Sequence, residues 1–228
     1  MRLTALARTT GRLLLGGAAV YALVWAVVSL VILAMSQACR TSERAAAHAQ
    51  EQGGPPRVPG IGHFARVDDR VWRGAAPSAE GYRRLAGLGV RTVVDLRAER
   101  LSPAALEVPG QAGLTVVRLP VRDGQPPAAG QVARFLAVVR GARGPVFVHC
   151  GAGVGRTGSM SAAYLVGTGQ ADAPTATRRS LAVGPPSLEQ LAFMRRLDGE
   201  RAGRPPAALV ALSRVADSPR RSWARLRG

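Results

Sequence analysis

The sequence predicts an α/β domain with a mostly parallel central sheet of four or five strands flanked by helices, preceded by one transmembrane helix. Three observations carry this reading. Leu13 to Met35 runs 23 residues without a charge. Two short β-branched runs, RTVVDL at 91–96 and LTVVRL at 114–119, read as strands separated from their neighbours by helical stretches. A third, PVFVHCGAGVGRTG at 145–158, ends in a glycine-rich turn that opens a helix.

The N-terminal flank, residues 1–12, carries Arg2, Arg8 and Arg12. At about 1.5 Å per residue the uncharged run extends roughly 34 Å, enough for a hydrocarbon core of about 30 Å, so residues 13–36 are read as a single-pass anchor. Ser36-Gln37-Ala38 and Ala47-His48-Ala49 are small-residue patterns that a signal peptidase cuts. Signal h-regions run about 7–15 residues, however, and this favours an uncleaved anchor. The three flanking arginines outweigh Arg40 and Arg44, which have Glu43 between them. The positive-inside rule therefore leans toward a cytoplasmic N-terminus, with the following domain outside the cytoplasm. Cys39 is read as a bystander at the interface, and two cysteines provide no disulfide framework.

Residues 37–62 are rich in Ala, Gly, Pro and Gln and read as a linker to a folded domain at 63–198. Phe64 to Trp72 holds two alternating pieces around Asp68-Asp69, the pattern of a hairpin at a sheet edge. Ser78 is the N-cap of a helix with Tyr82, Leu85 and Leu88 at helical spacing, closing at Gly87 or Gly89. After the two β-branched strands, Gln131 to Val139 is an amphipathic helix presenting Val132, Phe135, Leu136 and Val139. Helices follow at Thr157–Thr168, Pro174–Val183 and Ser187–Leu197, the last opened by a capping box of Ser187 and Gln190. Residues 199–228 place arginines at 201, 204, 214, 220, 221, 225 and 227 around the apolar run Ala207 to Leu212, and read as a mobile tail.

The chemistry concentrates at the third strand. Cys150 follows its C-terminal end, where open α/β sheets place their active groups. Glycines at 151, 153 and 155 let the backbone curl and turn several N–H groups toward one point, and the following helix adds its N-terminal donors. The result is an anion cradle formed by Gly151, Ala152, Gly153, Val154, Gly155 and Arg156. The planar Arg156 fork grips two oxygens at once, which an ammonium cannot do. Cys150 is the candidate nucleophile, and Thr157 is placed to donate a hydrogen bond to its sulfur. Gly153, Gly155 and Gly158 also spell a dinucleotide-binding pattern, with Asp172 downstream. That unit requires another strand after its helix, and no strand is read beyond residue 168. A Walker loop is excluded because the chain contains no lysine.

His149-Cys150-Gly151-Ala152-Gly153-Val154-Gly155-Arg156-Thr157 resembles the H-C-x5-R-[ST] signature of the cysteine-dependent protein tyrosine and dual-specificity phosphatases. The block VWRGAAPSAEGYRRLAGLGVRTVVDLRAE is similar to the N-terminal half of the bacterial dual-specificity-like members. The resemblance implies attack of the Cys150 thiolate on a phosphomonoester and hydrolysis of a phosphocysteine intermediate. It implies that Arg156 and the loop amides hold the phosphoryl oxygens, that His149 braces the loop, and that no metal or other cofactor is needed. It also implies an Asp on a loop upstream of the nucleophile as proton donor. Asp123, in PVRDGQPP after the second strand, is the candidate, although the family's Trp-Pro-Asp form is absent. Arg97 and Glu99 lie just past a strand end on the same face, either shaping the pocket or forming a surface ion pair; Arg122 either contacts phosphate or is solvated.

A net charge of +17 favours anionic substrates and surfaces. The expected substrate is a phosphorylated protein or a phospholipid or inositol phosphate. The cradle lacks added charge at Ala152 and Val154, which favours protein phosphate; the anchor and the Arg-rich tail, able to meet anionic lipid, favour lipid phosphate. No nucleic-acid module is visible, and aromatic residues are too sparse for base stacking. A phosphate-binding module without turnover is the reading of another class, but it would have lost the cysteine or the arginine, and both are present.

Overall fold

The structure, a computed structural model, describes residues 2–49, 57–199 and 205–216. A long helix α1 (Arg2–Ala49) precedes β1 (Ala65–Arg66), β2 (Val71–Gly74), α2 (Ala79–Gly87), β3 (Thr92–Arg97), α3 (Pro103–Gln111), β4 (Thr115–Val121), α4 (Ala129–Gly141), β5 (Val146–His149), α5 (Gly155–Gly167), α6 (Ala173–Val183), α7 (Leu188–Met194) and α8 (Ala207–Ala216). The five strands form one sheet in the order β1-β2-β5-β3-β4, parallel except for β1 at the edge. The expected α/β architecture is present, including the edge hairpin.

Strand alternation makes two cores. Val71, Val94, Val146 and Val148 face the α4 to α7 side, while Trp72, Val93 and Phe147 face Tyr82 and Leu85 of α2. The strands are covered on both sides, which is why β3 and β5 read as nearly continuous apolar runs. Register places Gly74 and Asp95 on either side of His149. Cys150 is therefore the first residue to leave the centre of the sheet.

Local sequence accounts for most boundaries. Ser78 Oγ accepts from Gly81 N at 3.2 Å, and Ser187 and Gln190 form the expected capping box. The β1–β2 turn is closed by Asp68, whose Oδ1 accepts from the Arg70 and Val71 amides at 2.8 and 2.7 Å. Its Oδ2 accepts from Tyr164 Oη at 2.6 Å and Gln170 Nε2 at 2.9 Å, tying the hairpin to α5 and the segment after it. Burial raises the Asp68 pKa, but these hydrogen bonds outweigh it and hold the carboxyl below its usual range.

Three features depart from the sequence expectations. Helix α3 has no expected counterpart, although Ser102 and Pro103 are an N-cap and first-turn pair and Ser102 Oγ accepts from Ala105 N. Helix α1 continues through residues 37–49, the first half of the expected linker, where alanine dominates. Within the expected mobile tail, the apolar run is α8, packed on α7 and α1: Ser213 Oγ accepts from Glu189 N at 3.1 Å, and Tyr21 Oη donates to Val215 O at 2.8 Å. The arginines at 201, 204, 220, 221, 225 and 227, and residues 50–56 of the linker, lie outside the described residues.

In α1, Gly16–Ser42 is long and apolar enough to cross a membrane. Val20, Leu23, Trp25, Val27, Leu30 and Val31 are exposed, whereas Ile32 and Ser36 are buried against the domain. Ser36 Oγ donates to Leu181 O at 2.7 Å, and Arg40 donates to Ala182 O and Val183 O, each at 3.2 Å. These bonds satisfy carbonyls at the α6 C-terminus, which a helix end otherwise leaves unpaired.

Asp68→Ala removes the acceptor of the Arg70 and Val71 amides in the turn and of the Tyr164 hydroxyl, while Gln170 Nε2 keeps Tyr164 Oη and Thr168 Oγ1. The expected loss is about 2 kcal/mol, seen as a fall of roughly 4–8 °C in the thermal unfolding midpoint of the full chain in detergent. An unchanged midpoint would remove this carboxylate from the contacts that hold the hairpin.

Candidate active site

The loop from Cys150 to Val154 is defined by where its carbonyls go. Cys150 O meets His149 Nδ1 at 3.1 Å, and Gly151 O accepts from Ala76 N at 3.0 Å. Ala152 O meets His63 Nδ1 at 2.8 Å, and Gly153 O accepts from Arg73 Nη2 at 2.8 Å. Val154 O accepts from Gly158 N at 2.8 Å, in the first turn of α5. All five carbonyls are thus tied back. Because every peptide here is trans, each following N–H points opposite to its carbonyl, and for Gly153 this is toward the sulfur. Gly153 N follows this direction and donates to Cys150 Sγ at 3.3 Å. Gly153 has φ of +73°, and a β-carbon there would collide with the Gly74–Ala75 backbone.

His149 is fully buried between Cys150 O and Tyr82 Oη, which lies 3.3 Å from Nε2. Nδ1–H then serves as donor to the carbonyl and Nε2 as acceptor from the phenol. Burial dominates and pushes the histidine pKa down to about 4, although Asp95, 4.0 Å from Nδ1, pulls the other way. The ring is therefore neutral at pH 7. Asp95 itself is gripped by Arg97 Nη2 at 2.9 Å. Arg97, the last residue of β3, serves this network, and Glu99, two residues on, serves the cradle.

Arg156, 3% exposed, is held as a fork: Nη1 donates to Glu99 Oε2 and Nη2 to Glu99 Oε1, both at 2.8 Å. Nη1 also donates to Val121 O at 3.2 Å, and Nη2 lies 3.4 Å from Asp123 Oδ1. Burial opposes the guanidinium charge, but the Glu99 hydrogen bonds overcome it, raising the Arg156 pKa and lowering that of Glu99. The loop after β4 thereby brings Asp123 to the cradle, with Arg122 exposed to solvent.

The fold brings Cys150, Arg156, Asp123, His149 and the loop residues 151–155 together. Thr157 is also there, fully buried, but its Oγ1 makes no hydrogen bond, so the expected bond to sulfur is not formed. The Gly153 amide occupies that role instead. Two braces have no counterpart in the sequence reading: His63, which adopts φ of +52°, and Arg73, 4% exposed. Burial lowers the Arg73 pKa to about 10, against the effect of the Cys150 charge, which leaves a cation behind the cradle at neutral pH. The signal available was Arg73 within a strand otherwise apolar and ending in glycine. Among the described residues no group of His, Cys, Asp and Glu is arranged to hold a metal ion.

A parallel sheet with Cys, glycine loop and Arg at the end of its central strand defines a class, the dual-specificity phosphatase domain of the cysteine-dependent phosphatase superfamily. Within it, the chain belongs to the family described as DSP-PTPase phosphatase fused to NAD+ kinase, whose profile matches residues 63–196. A relative, the probable NAD kinase 2, chloroplastic, of Oryza sativa subsp. japonica, is 34% identical over 116 residues. The match covers 48% of this chain and only 12% of that protein's length. Among solved structures, a P. aeruginosa TpbA variant in complex with pTyr superposes with a TM-score of 0.52 at 23% identity, covering 69% of this chain and 96% of that one. The core catalytic domain of the S. cerevisiae PP-IP phosphatase SIW14 gives a TM-score of 0.51 at 17% identity, covering 63% and 87%. Both likenesses are of fold.

His149 predicts a pH dependence with a definite sign. Its folded pKa of about 4 lies below the ordinary 6.5, so the unfolded chain binds the proton first and stability falls as pH drops from about 6.5 toward 4. Between pH 7 and pH 5 the expected loss is about 2 kcal/mol in urea unfolding, before most carboxylates titrate. His149→Asn should flatten this slope; an equal slope in the variant would assign the effect to other groups.

Proposed function

We propose that the chain is a phosphomonoester hydrolase of the protein tyrosine and dual-specificity type, working through a phosphocysteine intermediate. The observation that carries this reading is the loop whose five carbonyls are turned away from Cys150 Sγ, while Arg156 and Asp123 stand side by side at its mouth. The amides and the Arg156 fork receive the three phosphoryl oxygens. Cys150 thiolate attacks phosphorus, and as the P–O bond to the leaving group breaks, Asp123 gives that oxygen its proton. Water then attacks the phosphocysteine, Asp123 takes a proton from it, and the thiolate and inorganic phosphate are restored. Glu99 and Val121 O hold Arg156 in the plane this requires. His149 supports the loop from behind, and Thr157 closes the buried side of the cradle.

The physiological phosphate is assigned to protein, because Ala152 and Val154 add no charge to the cradle. A second reading, a phosphoinositide or inositol phosphate, is favoured by the seat of α1. Arg40 binds the carbonyls of Ala182 and Val183, and a β-carbon on the adjacent Gly184 would come within 2.9 Å of Val154 in the cradle. With α1 as a single-pass anchor and the domain on the extracytoplasmic side, this brings the cradle toward the headgroup layer.

Phosphate release from a generic aryl phosphate, without added metal, tests the chemistry. Cys150→Ser is expected to abolish turnover, and Asp123→Asn to slow it by about 10²–10⁴-fold while phosphate still binds. Turnover surviving the serine change would sink the covalent mechanism; phosphate binding by an inactive wild type would move the chain to the binding-module class. Phosphotyrosine peptides compared with phosphoinositide vesicles decide between the two substrates.

Arg156→Lys keeps the charge and loses the fork. Its kcat/KM should fall by about 10²-fold or more, since one ammonium cannot span two oxygens or both Glu99 oxygens. Near wild-type kcat/KM in this variant would mean that charge alone suffices.

A further inference from the structure

The first turn of α7 does more than start a helix. An N-cap serine needs only its acceptor lone pairs for the cap, and Ser187 Oγ accepts from Gln190 N at 3.1 Å. Its hydroxyl proton is donated elsewhere, to Gly124 O at 2.6 Å. Gln190 repeats the pattern: Oε1 completes the capping box by accepting from Ser187 N at 2.9 Å, and Nε2 donates to Gln125 O at 3.0 Å. The donors that the capping box leaves spare both go to successive carbonyls immediately after Asp123. Ser187 and Gln190 are 4% and 2% exposed; the bond to Gly124 O is buried and that to Gln125 O partly so.

Gln190 also lies against the cradle itself. A β-carbon on Gly155 would collide with its side-chain amide, so one side chain touches both the phosphate loop and the acid loop. The acid loop is then held at both ends: Val121 O by Arg156, and Gly124 O and Gln125 O by α7. Between them Gln125 N closes a turn on Arg122 O at 3.1 Å, and Gly124 takes φ of +75°. Asp123 projects from that turn.

We propose that the Ser187–Gln190 capping box is the positioning device for the acid loop, fixing Asp123 against the leaving oxygen by donating to Gly124 O and Gln125 O. Neither residue touches the reacting atoms; both act through Asp123, and the inference rests on Asp123 as proton donor.

Chemistry allows the cap and the clamp to be separated. Ser187→Asp keeps an N-cap acceptor as good as serine but, as a carboxylate, has no proton for Gly124 O. Gln190→Glu, assayed at a pH where it is ionised, keeps the capping box and loses the donor to Gln125 O. Ser187→Thr keeps both functions. Each full-length variant is assayed in detergent on phenyl phosphate and p-nitrophenyl phosphate beside wild type and Asp123→Asn, with the unfolding midpoint measured in parallel. A misplaced acid matters most when the leaving phenol is a poor one. The expected result for Ser187→Asp and Gln190→Glu is a loss of about 10-fold or more in kcat/KM on phenyl phosphate and under about 3-fold on p-nitrophenyl phosphate, since kcat/KM reports only the steps through cysteine phosphorylation, where the leaving oxygen takes its proton. Ser187→Thr should match wild type, whereas the two carboxylate variants, each burying a charge beside a carbonyl oxygen, should unfold at a lower midpoint and are assayed well below it.

Equal kcat/KM losses on both substrates, or no loss in either variant while Asp123→Asn still lowers kcat/KM on phenyl phosphate, would overturn the proposal. No effect of Asp123→Asn would instead overturn the acid assignment on which it rests. If Ser187→Asp does not fold, Gln190→Glu alone decides the matter by the same ratio of losses on the two substrates.

Discussion

The site depends on where the carbonyl oxygens of the loop after Cys150 are sent. A loop that turns its amides inward turns its carbonyls outward, and each carbonyl facing protein must find a donor there. Much of the surrounding fold is arranged as that set of donors. The segment before β1 contributes His63, β2 contributes Arg73, the loop after β2 contributes the Ala76 amide, and β5 contributes its own last residue, His149. The close packing this requires explains Gly74 at the end of β2. A β-carbon there would come within 2.7 Å of Ile61 and 2.9 Å of Phe147.

The second constraint is charge. Two arginines approach the loop, one behind it and one at its mouth, and they are treated differently. Arg156 has a carboxylate pair partner and reaches the mouth as a fork set by Glu99; Arg73 binds only carbonyl oxygens and is enclosed. The first is suited to meeting oxygens that come and go. The second is suited to staying where it is, holding the backbone curl of Gly153 and Val154.

Much of this was legible in the sequence because single residues carried it. Cys150 after a β-branched run, the alternating glycines, Ser78, and the Ser187–Gln190 pair are each local signals with one structural meaning. Helix α3 was not legible because Pro109 and Gly110 interrupt its pattern, although Ser102-Pro103 marked its start. The extension of α1 past the expected span, and the helical form of α8, depend on contacts with α6 and α7 that no periodicity records. At the site, the sequence placed the residues that face the cradle but not those that stand behind it. His63 and Arg73 are 87 and 77 positions before Cys150 and carry no motif of their own. The Thr157 hydroxyl was expected to reach the Cys150 sulfur across the closed loop, and the Gly153 amide makes that bond instead.

The union of α1 with α6 changes how the domain would sit if α1 crosses a membrane. A catalytic module on a flexible linker samples a volume set by the linker's length. Here Ile32, Ser36 and Arg40 lock the helix to the end of α6, and Gly184, next in the chain, packs on Val154. If α1 crosses a bilayer with these contacts kept, the domain turns and leans only as α1 does. Its working area is then a narrow ring at constant height, swept by lateral diffusion of the whole molecule, and phosphates far above that height are out of reach whatever their affinity.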